Sequence, residues 1–275
     1  MTDLHDLPLL WDTTDAPSAF DPSDWFDYCE RINGRPRPSL PPLAIQTVMP
    51  ALFAHALERF GAEPDDFTLA GHPFAVLHHR GQDIVIGYSA KGSYAAGGLD
   101  ELIALGARDV VFIGGSATLV HEIAVDDLFV PTRALRDEGV SLHYQSPSRY
   151  AEPCPDLSAS LIEAATARGL TCHSGPMWTT TAHFRQALPR LQAFRDEGCL
   201  TVNNEASSAF AVGHHRGAHV AALLMVGDTL ADDRFVVPPG HAELYREDDS
   251  GPLLDVALEA LCAIGETRRP TGSMQ

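Results

Sequence analysis

Residues 198–212 read GCLTVNNEASSAFAV, and residues 220–228 read VAALLMVGD. The first stretch predicts a short buried strand that delivers Glu205 to the start of a helix. The second predicts another buried strand, which ends at Asp228. Open α/β proteins bind their ligands beyond the carboxyl ends of the strands. The two stretches therefore predict two acids at the ligand-binding edge of one sheet, which is the layout of an active site.

Length and composition favour one large globular domain. The chain has 275 residues, 45% of them hydrophobic, and can bury a substantial core. Its apolar runs fall short of the roughly 20 residues that a membrane helix needs, and its acidic N-terminus lacks the basic and apolar regions of a signal peptide. We therefore expect a cytoplasmic protein that makes no contact with a membrane.

The net charge of the chain and the spacing of its cysteines and histidines argue against nucleic-acid binding and metal binding. The formal net charge is -18 at pH 7. Because binding to nucleic acid begins with the neutralisation of phosphates, this charge argues against a nucleic-acid partner. The five cysteines are scattered without Cys-x-x-Cys spacing, and the sequence contains no His-Glu-x-x-His segment. We therefore expect reduced core thiols and no metal site.

The chain divides into an N-terminal arm and one α/β domain. Residues 1–43 are polar, rich in proline and dotted with aromatic side chains, which predicts an irregular arm that packs on the domain or on a neighbouring subunit. In residues 44–275, a β-hairpin at 74–88 is followed by alternating strand and helix patterns. We therefore predict a single α/β domain with a central mixed, mostly parallel sheet flanked by helices. The predicted strands after the hairpin are 109–113, 127–132, 140–144, 170–173, 199–203 and 219–226, and the predicted helices include 157–168, 182–197, 205–215 and 252–266.

Several short motifs follow one another in an order that resembles a known family. They are the glycine-rich turn 92–98, Glu101 to Gly106, Gly114-Gly115, Val130-Pro131-Thr132, Trp178-Thr179-Thr180, and the strand ends at Glu205 and Asp228. Together they resemble the nucleoside phosphorylases, the family that includes bacterial purine nucleoside and uridine phosphorylases. The resemblance spans residues 85–230, over half of the chain, and depends on the order of many weak motifs.

The resemblance implies an enzyme that breaks the N-glycosidic bond of a nucleoside through an oxocarbenium-like state. Asp228 stands at the position of the acid that protonates or hydrogen-bonds the departing base. This acid is needed because the base leaves more easily when it does not accumulate negative charge. Glu205 stands at the position of the glutamate that accepts hydrogen bonds from the ribose 2′ and 3′ hydroxyls. Both acids also have a purely structural interpretation. An aspartate after a strand can cap a helix, and a glutamate in the first turn of a helix is favoured by the helix dipole.

The nucleoside pocket departs from the family pattern at several positions. Asn203 and Asn204 stand where many relatives have a glutamate and a methionine, and Thr181 stands where they have an aspartate. His183 replaces a phenylalanine or a proline, and Phe184 follows it. A histidine can stack on a base and also hydrogen-bond to it. We therefore expect these five residues to bind the substrate in an altered pocket.

The phosphate site is predicted to depend on backbone amides. Several relatives place an arginine just before the second glycine-rich turn, where this chain has Phe112. The amides around Gly92-Ser93 and Gly115-Ser116 can hold an anion without side-chain charge. Such glycines also occur in plain tight turns, and in that case water replaces phosphate as the nucleophile.

We therefore expect a pentosyltransferase of nucleoside metabolism that acts by phosphorolysis, with phosphate as its candidate co-substrate and no other cofactor. Hydrolysis of the same bond is the alternative among enzymes. Retention of Glu205 and Asp228 favours an enzyme, whereas the changes at Thr181, Asn203 and Asn204 favour a catalytically impaired relative that binds a nucleoside. Because the relatives form dimers that assemble further, the resemblance also implies a homo-oligomer.

Overall fold

Strands and helices alternate along most of the chain. The computed structural model describes residues 12–68, 72–237 and 247–268. Within these residues the strands are β1 (Leu43–Thr47), β2 (Phe74–His79), β3 (Gln82–Tyr88), β4 (Asp109–Thr118), β5 (Leu128–Arg136), β6 (Tyr150–Ala151), β7 (Cys172–Thr179), β8 (Thr201–Asn203) and β9 (His219–Thr229). The helices are α1 (Pro22–Asn33), α2 (Pro50–Phe60), α3 (Ser93–Leu105), α4 (Ser141–Tyr144), α5 (Pro155–Ala167), α6 (Leu188–Asp196), α7 (Ala206–Arg216) and α8 (Glu247–Arg268).

The strands form one mixed sheet, part of which closes on itself. Its order is β2-β3-β1-β4-β8-β7-β5-β6, and β9 pairs with both β4 and β5. The strands β4, β8, β7, β5 and β9 therefore form a ring. Parallel pairing joins β1 to β3 and β4, β4 to β9, and β7 to β5 and β8. The predicted α/β fold, with a mixed and mostly parallel sheet flanked by helices, is confirmed.

Apolar side chains pack on both faces of the sheet. On one face Phe112 belongs to a buried cluster with Leu99 of α3 and Phe210 of α7. On the other face the cluster contains Leu52 of α2 and Leu254 of α8. Burial of each such side chain stabilises the fold by roughly 1.5–3 kcal/mol. The strands are thus held from both sides beneath the ends that carry the candidate site.

The segment 1–43 contains a helix, so the prediction of an irregular arm is wrong for residues 22–33. Asp21 caps the start of α1 with its side chain. Phe26 and Cys29 lie three residues apart on the buried side of this helix. Proline at the first helical position is compatible with a helix, so the prolines here do not indicate irregular structure. Residues 1–11 lie outside the described residues.

Two other predicted elements also differ from the structure. The predicted strand 140–144 is the short helix α4, because the Glu138 carboxylate accepts hydrogen bonds from two N–H groups of its first turn. The predicted helix 182–197 is helical only from the start of α6, where Pro189 occupies the first turn. The residues before it form a loop that contributes to the candidate site.

All five cysteines are free thiols. Cys29, Cys199 and Cys262 are buried, and the other two are half-buried. In the ranges that the structure describes, no group of three or more His, Cys, Asp or Glu side chains is arranged to hold a metal ion. In the same ranges, no helix combines the length and the apolar character needed to cross a membrane.

Candidate active site

Three neighbouring strands bring the candidate residues into one row. Ala117 of β4 pairs with Asp228 of β9 on one side and with Val202 of β8 on the other. Because adjacent strands lie about 4.8 Å apart, the backbones at Asp228 and Val202 are separated by about 10 Å. Glu205 lies two residues after the end of β8. The row therefore leaves space for one small ligand between the two acids.

A cavity of about 430 Å³ lies over this row. Eight of the eleven residues predicted for the site line it. They are Asp228, Glu205, Asn203, Asn204, His183, Phe184, Gly115 and Ser116. The other lining residues are Val48, Lys91, Ala117, Gln186, Val202, Leu230 and Phe235. Both acids therefore lie beside one cavity.

Glu205 is a buried carboxylate with several donors around it. Its Oε1 accepts a hydrogen bond of 2.8 Å from the Gly92 N–H. Its Oε2 accepts from the Asn203 side-chain amide at 3.3 Å and from the Asn204 N–H at 3.2 Å. Burial raises the pKa of Glu205, and the two peptide N–H groups and the Lys91 charge oppose this rise. Oε1 therefore retains a lone pair that can accept from a ligand hydroxyl, whereas both lone pairs of Oε2 are already engaged.

Asn203 positions Glu205 and also caps α7. Its Oδ1 accepts hydrogen bonds from the Thr179 hydroxyl and from the Ala206 N–H, both at 3.2 Å. Its amide nitrogen donates to Glu205. A carboxylate at this position would face the Glu205 carboxylate and raise its pKa further. The amide therefore avoids placing a second carboxylate beside Glu205 at this end of the cavity.

Asp228 lies half-buried at the opposite side of the row. Burial raises the pKa of its carboxyl group to about 6, and the nearby Lys91 charge limits this rise. A carboxylic acid with this pKa is protonated in about half of the molecules at pH 6 and in about a tenth of them at pH 7. Asp228 can therefore donate a hydrogen bond or a proton to a bound base.

Aromatic and amide groups surround the opening of the cavity. The Asn204 side-chain amide lies 3.3 Å from Nδ1 of His183. Phe184 and Phe235 line the cavity with side chains that are 98% and 64% exposed. Thr181 is exposed and does not line the cavity.

The residues predicted to hold phosphate separate into two groups. Gly115 and Ser116 line the cavity. The Gly92 N–H, by contrast, donates to Glu205. Ser93 lines a second cavity, of about 410 Å³, beside α1 and α3. Of the residues predicted to hold phosphate, only those of the second glycine-rich turn, Gly115 and Ser116, therefore line the cavity.

The edge of β4 at Gly115 is open to the cavity. The Ile113 carbonyl accepts from the Val48 N–H at 3.3 Å, on the side of β4 that faces β1. Because hydrogen-bonding direction alternates along a strand, Gly115 directs its N–H toward the same side. There β1 has ended at Thr47, and β8 begins to pair with β4 only at Ala117. The Gly115 N–H therefore points into the gap between β1 and β8.

Sequence reasoning missed Lys91, which lines the cavity with an exposed side chain. Among the described residues that line this cavity, it alone is a lysine or an arginine. The signal was present in the composition, because Lys91 is the single lysine among 19 basic residues of the chain. Phe112, at the position where several relatives have an arginine, is fully buried in the core. Positive charge thus reaches the cavity from the turn before α3 and not from β4.

Curated proteins with related sequences are phosphorylases of nucleosides. A guanosine phosphorylase from Halorubrum lacusprofundi is 26% identical over 153 residues, which are 55% of this chain. A DeoD-type purine nucleoside phosphorylase from Dichelobacter nodosus is 22% identical over 156 residues, or 56% of the chain. The chain spans 64% of the length of each of these two relatives.

Solved structures of two enzymes share the fold. An AMP nucleosidase from Bacteroides thetaiotaomicron superposes with a TM-score of 0.71 at 19% identity, covering 90% of this chain and 98% of that one. A uridine phosphorylase from Vibrio fischeri superposes with a TM-score of 0.67 at 22% identity, covering 82% and 93%. The sequence profile of the phosphorylase superfamily matches residues 42–250, well over half of the chain. This protein therefore belongs to the phosphorylase superfamily.

Proposed function

We propose that the protein cleaves the N-glycosidic bond of a nucleoside or a close analogue, with phosphate as the acceptor. The observation that carries the proposal is the pair of acids on one cavity, with Glu205 buried among donors and Asp228 holding a raised pKa of about 6. Two carboxyl groups in such different surroundings suit different chemical roles.

Asp228 acts on the base. As the bond between C1′ and the base nitrogen breaks, its electron pair moves into the base, and Asp228 transfers or shares its proton with a ring nitrogen. The base then leaves without a full negative charge. A phosphate oxygen forms the new bond to C1′, which gives a ribose 1-phosphate and the free base. The carboxylate of Asp228 regains its proton from solvent.

Glu205 acts on the sugar. Gly92, Asn203 and Asn204 hold its two oxygens, so the carboxylate has a fixed orientation toward the cavity. One ribose hydroxyl can donate to the remaining lone pair of Oε1, and the neighbouring hydroxyl can share Oε2 with its two longer bonds of 3.2 and 3.3 Å. A buried negative charge beside the ribose also stabilises the positive charge that develops at C1′.

The relatives support a nucleoside-type ligand but differ in the acceptor. The two sequence relatives and the Vibrio fischeri protein are phosphorylases, whereas the Bacteroides protein is a nucleosidase. Hydrolysis is the second candidate for this chain, and the buried apolar Phe112 at the usual arginine position favours it. The impaired, nucleoside-binding relative is the third, and the changes at Asn203, Asn204 and Thr181 favour it.

A panel of purine and pyrimidine nucleosides, incubated with and without phosphate, tests the proposal. We expect one base class to be released and the sugar product to be ribose 1-phosphate when phosphate is present. Free ribose in both conditions would replace phosphorolysis with hydrolysis. Binding of a nucleoside without any release of base, in wild-type protein of verified fold, would identify the impaired relative.

A further inference from the structure

The single lysine of the chain occupies a position that the family resemblance does not explain. The chain has 18 arginines and one lysine. Among the described residues that line the cavity, the one that is a lysine or an arginine is Lys91. It precedes Gly92, whose N–H is bound to Glu205, so the turn that holds Glu205 also carries the ammonium group. The charge of Lys91 acts on both Glu205 and Asp228. Lys91 therefore lies within electrostatic reach of both ends of the ligand site.

A second observation points to a ligand on the same cavity. Ser116 is 4% exposed, and its hydroxyl is shielded from solvent without a hydrogen-bond partner among the described residues. Buried hydroxyls are nearly always paired, so an unpaired one that lines a cavity indicates a missing acceptor. Its neighbour Gly115 directs its N–H into the gap between β1 and β8. Gly115 and Ser116 thus line the same cavity as Lys91, the first with an N–H directed into the gap and the second with a buried hydroxyl that has no partner among the described residues.

We propose that Lys91 supplies the charge of a phosphoryl-binding site whose other donors are the Ser116 hydroxyl and the Gly115 N–H, an assignment that rests on the proposed function. The Glu205 carboxylate, and the Asp228 carboxylate when it is ionised, disfavour an anion in this cavity, and two neutral donors alone do not offset this charge. A lysine ammonium binds phosphate as a point charge with three donors. Several relatives have an arginine at the position of Phe112. In this chain Lys91, in the turn before α3, supplies the positive charge instead.

The phosphoryl group has two chemical sources, which the cavity alone does not separate. It is either free phosphate, the acceptor of the reaction, or the phosphoryl group of a nucleotide substrate. Both sources would place the same chemical group beside Lys91, a phosphoryl group whose oxygens carry two negative charges. Kinetics with two substrates distinguish the sources.

Calorimetric titration of the free protein with inorganic phosphate, at constant ionic strength, tests the site directly. We expect Lys91→Met to weaken phosphate binding by about 10-fold or more, the loss of one charge-assisted hydrogen bond. Ser116→Ala should weaken it by roughly 2- to 10-fold, and Lys91→Arg should restore most of the affinity lost in Lys91→Met. Arg234→Met is the matched control, because Arg234 is exposed beside the cavity-lining Phe235 but does not itself line the cavity.

Equal phosphate affinity in Lys91→Met and wild type would overturn the proposal, as would equal weakening by Arg234→Met. In the kinetic arm, Lys91→Met should raise the KM for phosphate if phosphate is the occupant. It should instead raise the KM for a nucleoside 5′-monophosphate, but not for the nucleoside, if the substrate carries the group. Unchanged values for both would also overturn it. Since titration requires no turnover, absence of nucleoside cleavage would remove the proposed function and leave the binding test of Lys91 intact.

Discussion

The peptide N–H of Gly92 donates a 2.8 Å hydrogen bond to Oε1 of Glu205, a residue 113 positions later in the chain. The bond joins the start of α3 to the start of α7, and it fixes one oxygen of the buried carboxylate. The amide that the sequence suggested for phosphate is therefore used to orient the acid that the sequence suggested for the sugar. Gly92 adopts a φ of 76° and a ψ of -139°, which favours glycine over other residues.

We predict that Gly92→Ala destabilises the protein by about 1–3 kcal/mol and lowers activity. A Cβ at this position meets no atom within 4 Å, so the cost comes from the backbone conformation and not from a clash. Gly97→Ala, in the same helix and also in open space, is the control. It should be neutral or stabilise the helix by up to about 1 kcal/mol. Equal stability of the two variants in urea denaturation would contradict the prediction.

The next prediction concerns Asp228. If it protonates or hydrogen-bonds the leaving base, Asp228→Asn should lower turnover by roughly 10²–10⁴-fold, the usual contribution of a general acid. Turnover is measured on protein whose fold is verified by circular dichroism. Near-normal turnover in a folded Asp228→Asn variant would remove this residue from the mechanism.

The two acids were predictable because each follows its own strand in the sequence. Glu205 and Asp228 come after or at the end of buried apolar runs, and the sequence predicts that such strand ends share one edge of a parallel sheet. In the structure β8 runs antiparallel to β4, and β9 runs parallel to it, so the acids lie close together because both strands pair with β4 at Ala117. The order of the motifs identified the family.

The remaining donors were not predictable in this way. Lys91 lies in a turn with no apolar periodicity, and its approach to the cavity depends on how α3 packs against the sheet. The roles of Ser116 and Gly92 depend on strand register, including the shift between Ser116 and Ala117 in the pairing of β4 with β9. Helix α1 was missed because its prolines and aromatic residues hid the spacing of Phe26 and Cys29.

The pH dependence of kcat/KM provides a third prediction. The pKa of Asp228 is raised from its ordinary range to about 6 by burial. Its acid form is the active one, so kcat/KM should be constant below about pH 6 and fall as the pH rises through that value. The Lys91 charge stabilises the Asp228 carboxylate, and its removal in Lys91→Met raises the pKa and should move the falling limb to higher pH.

Glu205 and His183 share the cavity with Asp228 and Lys91. Imidazole groups also titrate in the neutral range. His183→Asn is therefore the control for the pH profile, and it should retain the falling limb. Loss of the limb in this variant would assign the titration to His183 and contradict the role of Asp228.

A fourth prediction assigns sugar recognition to Glu205. Removal of the 2′ or the 3′ hydroxyl from the nucleoside leaves a buried acceptor unpaired, which should cost about 1–3 kcal/mol of binding free energy. In Glu205→Ala, ribosides and deoxyribosides should bind with similar affinity. Calorimetry on the wild type with a riboside and its dideoxy analogue measures the difference, and equal affinities would rule the assignment out.

The last prediction concerns the strength of phosphate dependence. Phe112 is buried at the position where several relatives have an arginine, and the chain carries a net charge of -18. One charge-assisted hydrogen bond from an exposed lysine contributes about 1.5–3 kcal/mol, and a neutral donor such as Ser116 about 1 kcal/mol. Their sum, roughly 2.5–4 kcal/mol, corresponds to a phosphate affinity on the order of 1 mM or weaker. We therefore expect cleavage to saturate with phosphate only in the millimolar range. An active preparation that requires phosphate absolutely and saturates at micromolar concentrations would reveal a strong anion site beyond Lys91, Ser116 and the backbone amides.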